Sequence, residues 1–183
     1  MFRFPTPETS CLVLIDMQEK LLPAMHDPAQ VLSRCQLLLK GMAALKVPVV
    51  VTEQYPKGLG ATVPELAELF PEGTEVFAKT SFSCFGAPGF PEALDLAARP
   101  SLILAGVEAH VCCQQTALEA LNRGFQVLIP FDAVSSRRSA EAENALDSLR
   151  AAGCGIFSAE SLLFLLLRDA KHPAFKTVSQ LVR

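Results

Sequence analysis

Several features that mark broad functional classes are missing from this sequence. The 183 residues carry a net charge of −3 and contain no large block of lysine and arginine, which argues against nucleic acid or an anionic membrane as the main partner. The longest purely apolar run, Leu162–Leu167, is far shorter than the ~20 residues needed to span a bilayer. Residues 1–10 contain no long apolar segment and include two prolines, so we predict no secretory signal and a cytoplasmic location.

The sequence also lacks the motifs of several common sites. No glycine-rich phosphate-binding turn follows the first apolar run, so no dinucleotide cofactor is expected. No G-x-S-x-G motif is present, and the group Asp132, Ser135 and Ser136 is predicted to serve a loop and a helix cap rather than serine catalysis. The six cysteines form no C-x-x-C pair and no zinc-finger spacing, which indicates reduced, mostly buried thiols. We therefore expect neither a metal nor another cofactor.

What the sequence does contain is a large apolar fraction. Half of the residues are hydrophobic and only 19% are charged, a composition typical of a compact globular protein. A chain of this length suits one domain, and no repeat, low-complexity tract or linker divides it. We therefore predict a single domain over residues 1–183.

Short apolar runs alternate about six times with longer segments of helical periodicity. The predicted strands are residues 11–16, 47–52, 75–79, 101–106, 125–130 and 154–158. The predicted helices are residues 29–45, 62–70, 91–98, 110–122, 140–152 and 159–167, with a further short helix in the tail from Pro173. Continuously apolar strands are typical of a parallel sheet that helices cover on both faces. This pattern predicts a three-layer α/β/α fold, with ligands binding at the carboxyl edge of the sheet.

Three reactive side chains follow predicted strands and should meet at that edge. Asp16 ends the first strand, Lys79 closes the third, and Cys112 lies in the first turn of the helix after the fourth. An acid, an amine and a thiol brought together form a nucleophilic site. The helix N-terminus and the Lys79 ammonium are expected to lower the pKa of the thiol, while Asp16 accepts its proton and later delivers it to a leaving nitrogen. Backbone N–H groups of residues 106–112 are candidates for holding an oxyanion.

Each of the three residues also has a simpler explanation. An aspartate at the end of a strand, such as Asp16, often caps or turns the chain. Lys79 fits a solvated lysine, and Cys112 fits an inert buried thiol. The coincidence of all three at one predicted edge favours the catalytic interpretation.

Three segments of the chain resemble the isochorismatase-like cysteine hydrolases. They are LVLIDMQ (Leu12–Gln18), FAKTSFSCF (Phe77–Phe85) and GVEAHVCCQQTALEAL (Gly106–Leu121). Together with TEQYPKGLG (Thr52–Gly60), they are most similar to the isochorismatase domain-containing and YcaC-like subgroup. The resemblance runs in order along nearly the whole chain and implies a six-stranded parallel sheet of Rossmann-like type.

The resemblance also implies roles for individual residues. It implies an Asp-Lys-Cys triad of Asp16, Lys79 and Cys112, because the cysteine of the family pattern follows Gly-Val-x-x-x-x, which selects the first of the two adjacent cysteines. It further implies a non-proline cis peptide between Val107 and Glu108. The residues expected around the substrate or its oxyanion are Gln18, Gln54, Tyr55, Val107, Glu108 and His110.

Two departures from the family limit the activities that it implies. Nicotinamidases of this superfamily bind a metal with an Asp and a His after the second strand, where this chain has Gln54 and Pro56. Isochorismatases proper cleave a vinyl ether and lack the nucleophilic cysteine, whereas Cys112 is present here. Loop packing explains Gln54 and Tyr55 as well as substrate contact does, and His110 fits a structural or capping role.

Three functions are compatible with these residues. The leading hypothesis is hydrolysis of a small amide, or of a related C–N or ester bond, through a thioester on Cys112. The alternatives are a thiol redox-responsive protein, with Cys113 or Cys84 as the resolving partner, and a non-catalytic interaction module on the same fold. The expected partners are a small-molecule substrate and further copies of the chain, since the apolar helix around Leu162–Leu167 favours a homo-oligomer.

Overall fold

The central strands of this protein are apolar runs buried between two layers of helices. In the computed structural model, which describes residues 3–183, all six residues of the first strand are buried. The strands are β1 (Ser10–Ile15), β2 (Val49–Gln54), β3 (Val76–Lys79), β4 (Ser101–Val107), β5 (Gln126–Pro130), β6 (Val134–Ser135) and β7 (Gly155–Phe157). Met1 and Phe2, which belong to the segment examined for a secretory signal, lie outside the described residues.

The sheet is parallel and has the order β3-β2-β1-β4-β5-β7, which confirms the predicted fold class. The two-residue β6 pairs with the end of β4 and was not predicted, because two residues carry no periodicity. The winding reverses between β1 and β4, so the ligand-binding crevice of such a sheet lies at their carboxyl ends. Ile15 pairs in register with Thr52 and Gly106, and Gln54 pairs with Lys79. The carboxyl ends of β1 to β4 are therefore level.

The helices agree with the predicted ones except near the sheet's carboxyl edge. They are α1 (Pro28–Leu45), α2 (Pro56–Leu59), α3 (Pro64–Ala67), α4 (Phe90–Ala97), α5 (Gln114–Asn122), α6 (Ser139–Ala152), α7 (Ala159–Leu167) and α8 (Phe175–Leu181). The predicted helix over residues 62–70 shortens to α3, and α2 is a single turn that was not predicted. A π-helical turn (Ala109–Cys113) precedes α5, where an ordinary helix start was expected.

Alternate residues of β1 supply two separate cores. Leu12 and Leu14 pack on the side of α1 and α7, whereas Val13 and Ile15 pack on the side of α4 and α5. This alternation follows from the two-residue period of a strand. Within the described part of the chain, no helix is long and apolar enough to cross a membrane.

Gly106 is required where β4 passes closest to β1. Its φ is +118°, and a Cβ built there would lie 2.1 Å from the carbonyl oxygen of Ile15. We expect Gly106→Ala to lower the free energy of unfolding by about 3 kcal/mol or more, since backbone must shift in addition to the φ cost. Gly124→Ala is the matched control, because Gly124 has a φ of +86° and open space around it. Urea denaturation measures both variants, and equal losses would contradict the close-packing explanation.

Candidate active site

Three elements bring Asp16, Lys79 and Cys112 to the carboxyl edge of the sheet. Asp16 directly follows β1, Lys79 is the last residue of β3, and Cys112 lies in the π-helical turn after β4. Asp16 has a φ of +54°, a left-handed conformation that aspartate tolerates better than most residues and that turns the chain off the strand. All three residues are buried, with 0%, 3% and 5% of their surface exposed.

Lys79 and Asp16 form a buried ion pair. The Lys79 Nζ lies 2.7 Å from Asp16 Oδ2, and both side chains are fully buried. Nζ also lies 2.7 Å from Gln54 Oε1, 3.3 Å from the Ser81 carbonyl and 3.2 Å from the Phe82 carbonyl. Burial by itself lowers the pKa of Lys79, but the Asp16 carboxylate and neighbouring thiols outweigh it and raise that pKa above its ordinary value. The lysine is therefore an ammonium at neutral pH.

The Cys112 thiol is protonated in the resting molecule. Burial and then the Asp16 carboxylate raise the pKa of Cys112 to about 12, and Lys79 opposes them with a smaller effect. This direction is opposite to the lowered pKa expected from the sequence. The Asp16 carboxylate lies close enough to raise the thiol pKa by its charge, which makes it a candidate to receive the thiol proton. The arrangement is a thiol beside a base rather than a preformed thiolate.

The π-helical turn separates the two adjacent cysteines. The Cys113 N–H donates to the carbonyl of Glu108 at 3.1 Å, the five-residue bond of a π turn, and the Val111 N–H donates to the same oxygen. The Val107–Glu108 peptide is cis, as the family resemblance implied. Cys113 packs in the core beneath α5, and its burial raises its pKa well above the ordinary value. Of the pair, Cys112 is the more exposed, at 5% against 1% for Cys113.

The sequence matches one protein-family model over most of its length. The family model of the isochorismatase domain matches residues 10–161. The chain belongs to the isochorismatase-like cysteine hydrolase family. Isochorismatase domain-containing protein 1 from Danio rerio is 43% identical over 97% of this chain and 62% of that protein. The chain thus spans about three fifths of that relative's length.

Two solved structures are similar over almost the whole chain. The MAR1 ribonuclease from Caenorhabditis elegans is 37% identical, has a TM-score of 0.93, and aligns with 98% of this chain and 92% of its own. The YcaC gene product from Escherichia coli, described as an octameric hydrolase of unknown specificity, is 24% identical. It has a TM-score of 0.92 and aligns with 99% of this chain and 91% of its own. At this identity the YcaC likeness concerns the fold alone.

Gln18 and Gln54 support Lys79 from the side of β2. Gln18 is fully buried, and its Oε1 accepts the backbone N–H of Gln54 at 2.7 Å. Its Nε2 donates to the carbonyls of Gln54 at 3.0 Å and Gly60 at 2.7 Å. Gln54 then accepts from Lys79 through Oε1 and donates to the Thr80 carbonyl at 2.9 Å. These bonds engage both amides and link the two glutamines to Lys79, while their contact with a substrate stays a prediction.

The remaining sequence-predicted residues surround the centre without bonding to the three side chains. Tyr55 is 54% exposed, and its N–H donates to the Lys79 carbonyl at 2.8 Å. Val107 is fully buried. The Glu108 carboxylate accepts from Arg137 Nε at 2.8 Å. His110 Nδ1 lies 2.9 Å from Ser136 Oγ, a contact consistent with a structural role for this histidine.

An open cleft lies along β3 and the segment after β2. Its volume is about 480 Å³, and its lining includes Tyr55, Lys57 and Lys79 but neither Asp16 nor Cys112. Among residues 3–183, no group of three or more histidine, cysteine, aspartate and glutamate side chains could hold a metal ion.

Thr52 is the polar contact of Asp16 that sequence reasoning missed. Its Oγ1 donates to Asp16 Oδ1 at 2.8 Å. In the sequence Thr52 stands at the end of a predicted apolar strand, and only the parallel register of β1 and β2 places it opposite Ile15. Aligning the first two predicted strands as parallel neighbours could have predicted the contact between Thr52 and Asp16.

Proposed function

We propose that this protein hydrolyses a small amide, or a related C–N or ester bond, through a thioester on Cys112. The observation that carries the proposal is the buried Lys79–Asp16 ion pair at 2.7 Å beside a protonated thiol. Burying two charges is costly unless they are paired, and such groups concentrate at functional sites. Membership of a cysteine hydrolase family supports the same reaction type.

Acylation starts with transfer of the thiol proton from Cys112 to Asp16. The sulfur then attacks the substrate carbonyl carbon, and the carbonyl π electrons move onto oxygen to give a tetrahedral oxyanion. Backbone N–H groups of residues 106–112 are the proposed donors to that oxygen. The oxyanion collapses, the C–N bond breaks, and Asp16 delivers its proton to the leaving nitrogen. The products of this half-reaction are a free amine and the Cys112 thioester.

In deacylation, water takes the place of the thiol as the nucleophile. Asp16 takes a proton from water, the hydroxide oxygen adds to the thioester carbon, and the C–S bond breaks. Asp16 returns the proton to Cys112, which restores the resting thiol and releases a carboxylic acid. Lys79 remains charged throughout, and its role is to hold the Asp16 carboxylate in place through the bond to Oδ2.

We also propose that the protein works as a cytoplasmic homo-oligomer on a small molecule. The octameric state described for the E. coli YcaC gene product supports assembly of this fold. Two aromatic side chains at the carboxyl edge, Tyr55 and Phe82, are about half exposed in the single chain. They are suited to burial by a second copy or by a substrate. The net charge of −3 is consistent with a substrate other than nucleic acid.

A rapid-quench mass measurement tests the thioester. The protein is mixed with a panel of primary amides, N-acyl amines and small esters, with a short RNA included because a similar structure is described as a ribonuclease. We expect a hydrolysed substrate to leave a transient acyl mass that maps to the peptide carrying Cys112. Cys113→Ala is the matched control and should retain the adduct. Turnover of any substrate without an adduct at Cys112, or with RNA alone, would contradict the proposal.

A further inference from the structure

Thr52 links Asp16 to a second buried thiol. Thr52 is fully buried in β2, and its Oγ1 donates to Asp16 Oδ1 at 2.8 Å. The Cys84 Sγ lies 3.6 Å from the same Oγ1. Cys84 begins a short 3₁₀ turn after β3, where its N–H donates to Thr116 Oγ1 at 3.0 Å. A chain of contacts therefore runs from α5 through Cys84 and Thr52 to the proposed base.

The direction of each hydrogen bond in this series of contacts follows from the number of hydrogens available. A threonine hydroxyl has one hydrogen, and in Thr52 that hydrogen is directed to Asp16. The Thr52 oxygen can therefore only accept from Cys84, which requires Cys84 to be a protonated thiol. Burial and then the nearby Asp16 carboxylate raise the pKa of Cys84 to about 11, so the thiol keeps its hydrogen at neutral pH.

These bonds leave Asp16 with a defined orientation. Lys79 occupies Oδ2 at 2.7 Å and Thr52 occupies Oδ1 at 2.8 Å, so each carboxylate oxygen has one strong donor. Hydrogen bonds to an ionised carboxylate are stronger than neutral ones and favour the charged form. The lysine supplies charge, whereas the neutral Thr52 supplies direction without changing the charge balance of the site.

We propose that Thr52 is a positioning residue, which holds the Asp16 carboxylate in the orientation that takes the proton of Cys112, and that Cys84 holds Thr52 in place. This inference rests on the proposed function. The titratable groups that face Asp16 are Lys79 from β3, Cys84 from the 3₁₀ turn, and Cys112 and Cys113 from the π-helical turn.

Alkylation of Cys112 by iodoacetamide tests this role without a known substrate. Thr52→Val keeps the side-chain shape and removes the hydroxyl, which frees Asp16 Oδ1 from its donor. We expect the rate of Cys112 alkylation at neutral pH, read by peptide mass spectrometry, to fall about tenfold, because a misoriented base takes the thiol proton less often. A change in packing alone would not be reversed when the hydroxyl is restored as serine.

Thr52→Ser is the matched control, since it keeps the hydroxyl and should retain the wild-type alkylation rate within about twofold. If Thr52→Val shows no thermal unfolding transition, the pair Thr52→Ser and Thr52→Ala, which differs only in the hydroxyl, gives the same comparison. A folded hydroxyl-free variant with the wild-type alkylation rate would overturn the inference.

Asp16→Asn separates failure of this inference from failure of the proposed function. If Asp16→Asn leaves Cys112 alkylation unchanged, or speeds it as loss of a charge that only raises the thiol pKa would, Asp16 is not the base and the proposed function fails. If Asp16→Asn slows alkylation while Thr52→Val behaves as wild type, the proposed function stands and the Thr52 inference fails. Slowed alkylation in both variants supports both.

Discussion

Cys112→Ala is expected to reduce the hydrolysis rate of any substrate found in the panel by at least about 10⁴-fold, because loss of the nucleophile removes the covalent route altogether. The fold should be retained, since the thiol occupies little volume and Cys112 is 5% exposed at the edge of its core cluster. Steady-state kinetics and a thermal melt, made on the same preparation, measure the two effects.

Cys113→Ala is the matched control for that loss. It removes a thiol of the same size from the neighbouring position, where the side chain is 1% exposed and packs in the core. We expect its kcat to stay within a few-fold of wild type while its stability falls by about 1 kcal/mol. Retention of hydrolysis in Cys112→Ala, or an equal loss in Cys113→Ala, would exclude the assignment of Cys112 as the nucleophile.

Lys79→Met is expected to destabilise the protein by about 3–5 kcal/mol, because it leaves the Asp16 carboxylate buried and without its charged partner. Hydrolysis should also be lost, since Lys79 no longer holds Asp16 Oδ2 in the position from which the carboxylate accepts the proton of Cys112. Urea denaturation and iodoacetamide alkylation of Cys112 give the two readouts. Wild-type stability in Lys79→Met would show that the ion pair does not contribute as described.

The double variant Asp16→Asn with Lys79→Met separates stability from chemistry. Removing both charges together avoids the unpaired buried carboxylate, so we expect it to recover much of the lost stability while remaining inactive.

The pH dependence of the wild-type free energy of unfolding is an independent test of the ion pair. Because the folded protein raises the pKa of Lys79, its stabilising charge is fully present below the ordinary lysine value of ~10.4 and is lost as pH rises through the folded value.

The sequence alone was sufficient for the fold class and for the convergence of Asp16, Lys79 and Cys112. Continuously apolar strands that alternate with helices predict a parallel sheet, and parallel strands bring their carboxyl ends to one edge. A residue that directly follows a strand is therefore located to within a few ångströms of that edge before any coordinates are known. The observed strand order and register confirm that placement for the first four strands.

The tertiary structure decided the depth of the site and the partners of each polar group. The pKa of Cys112 was predicted to be lowered and is raised, because burial and the position of Asp16 outweigh Lys79, and neither burial nor distance can be read from residue order. Gln18 was expected near substrate, yet its amide binds backbone on both sides. Thr52 and Cys84 meet Asp16 only through the pairing of β1 with β2 and the turn after β3. Local periodicity determines which segments form strands and helices, whereas hydrogen-bond partners depend on contacts between segments far apart in the chain.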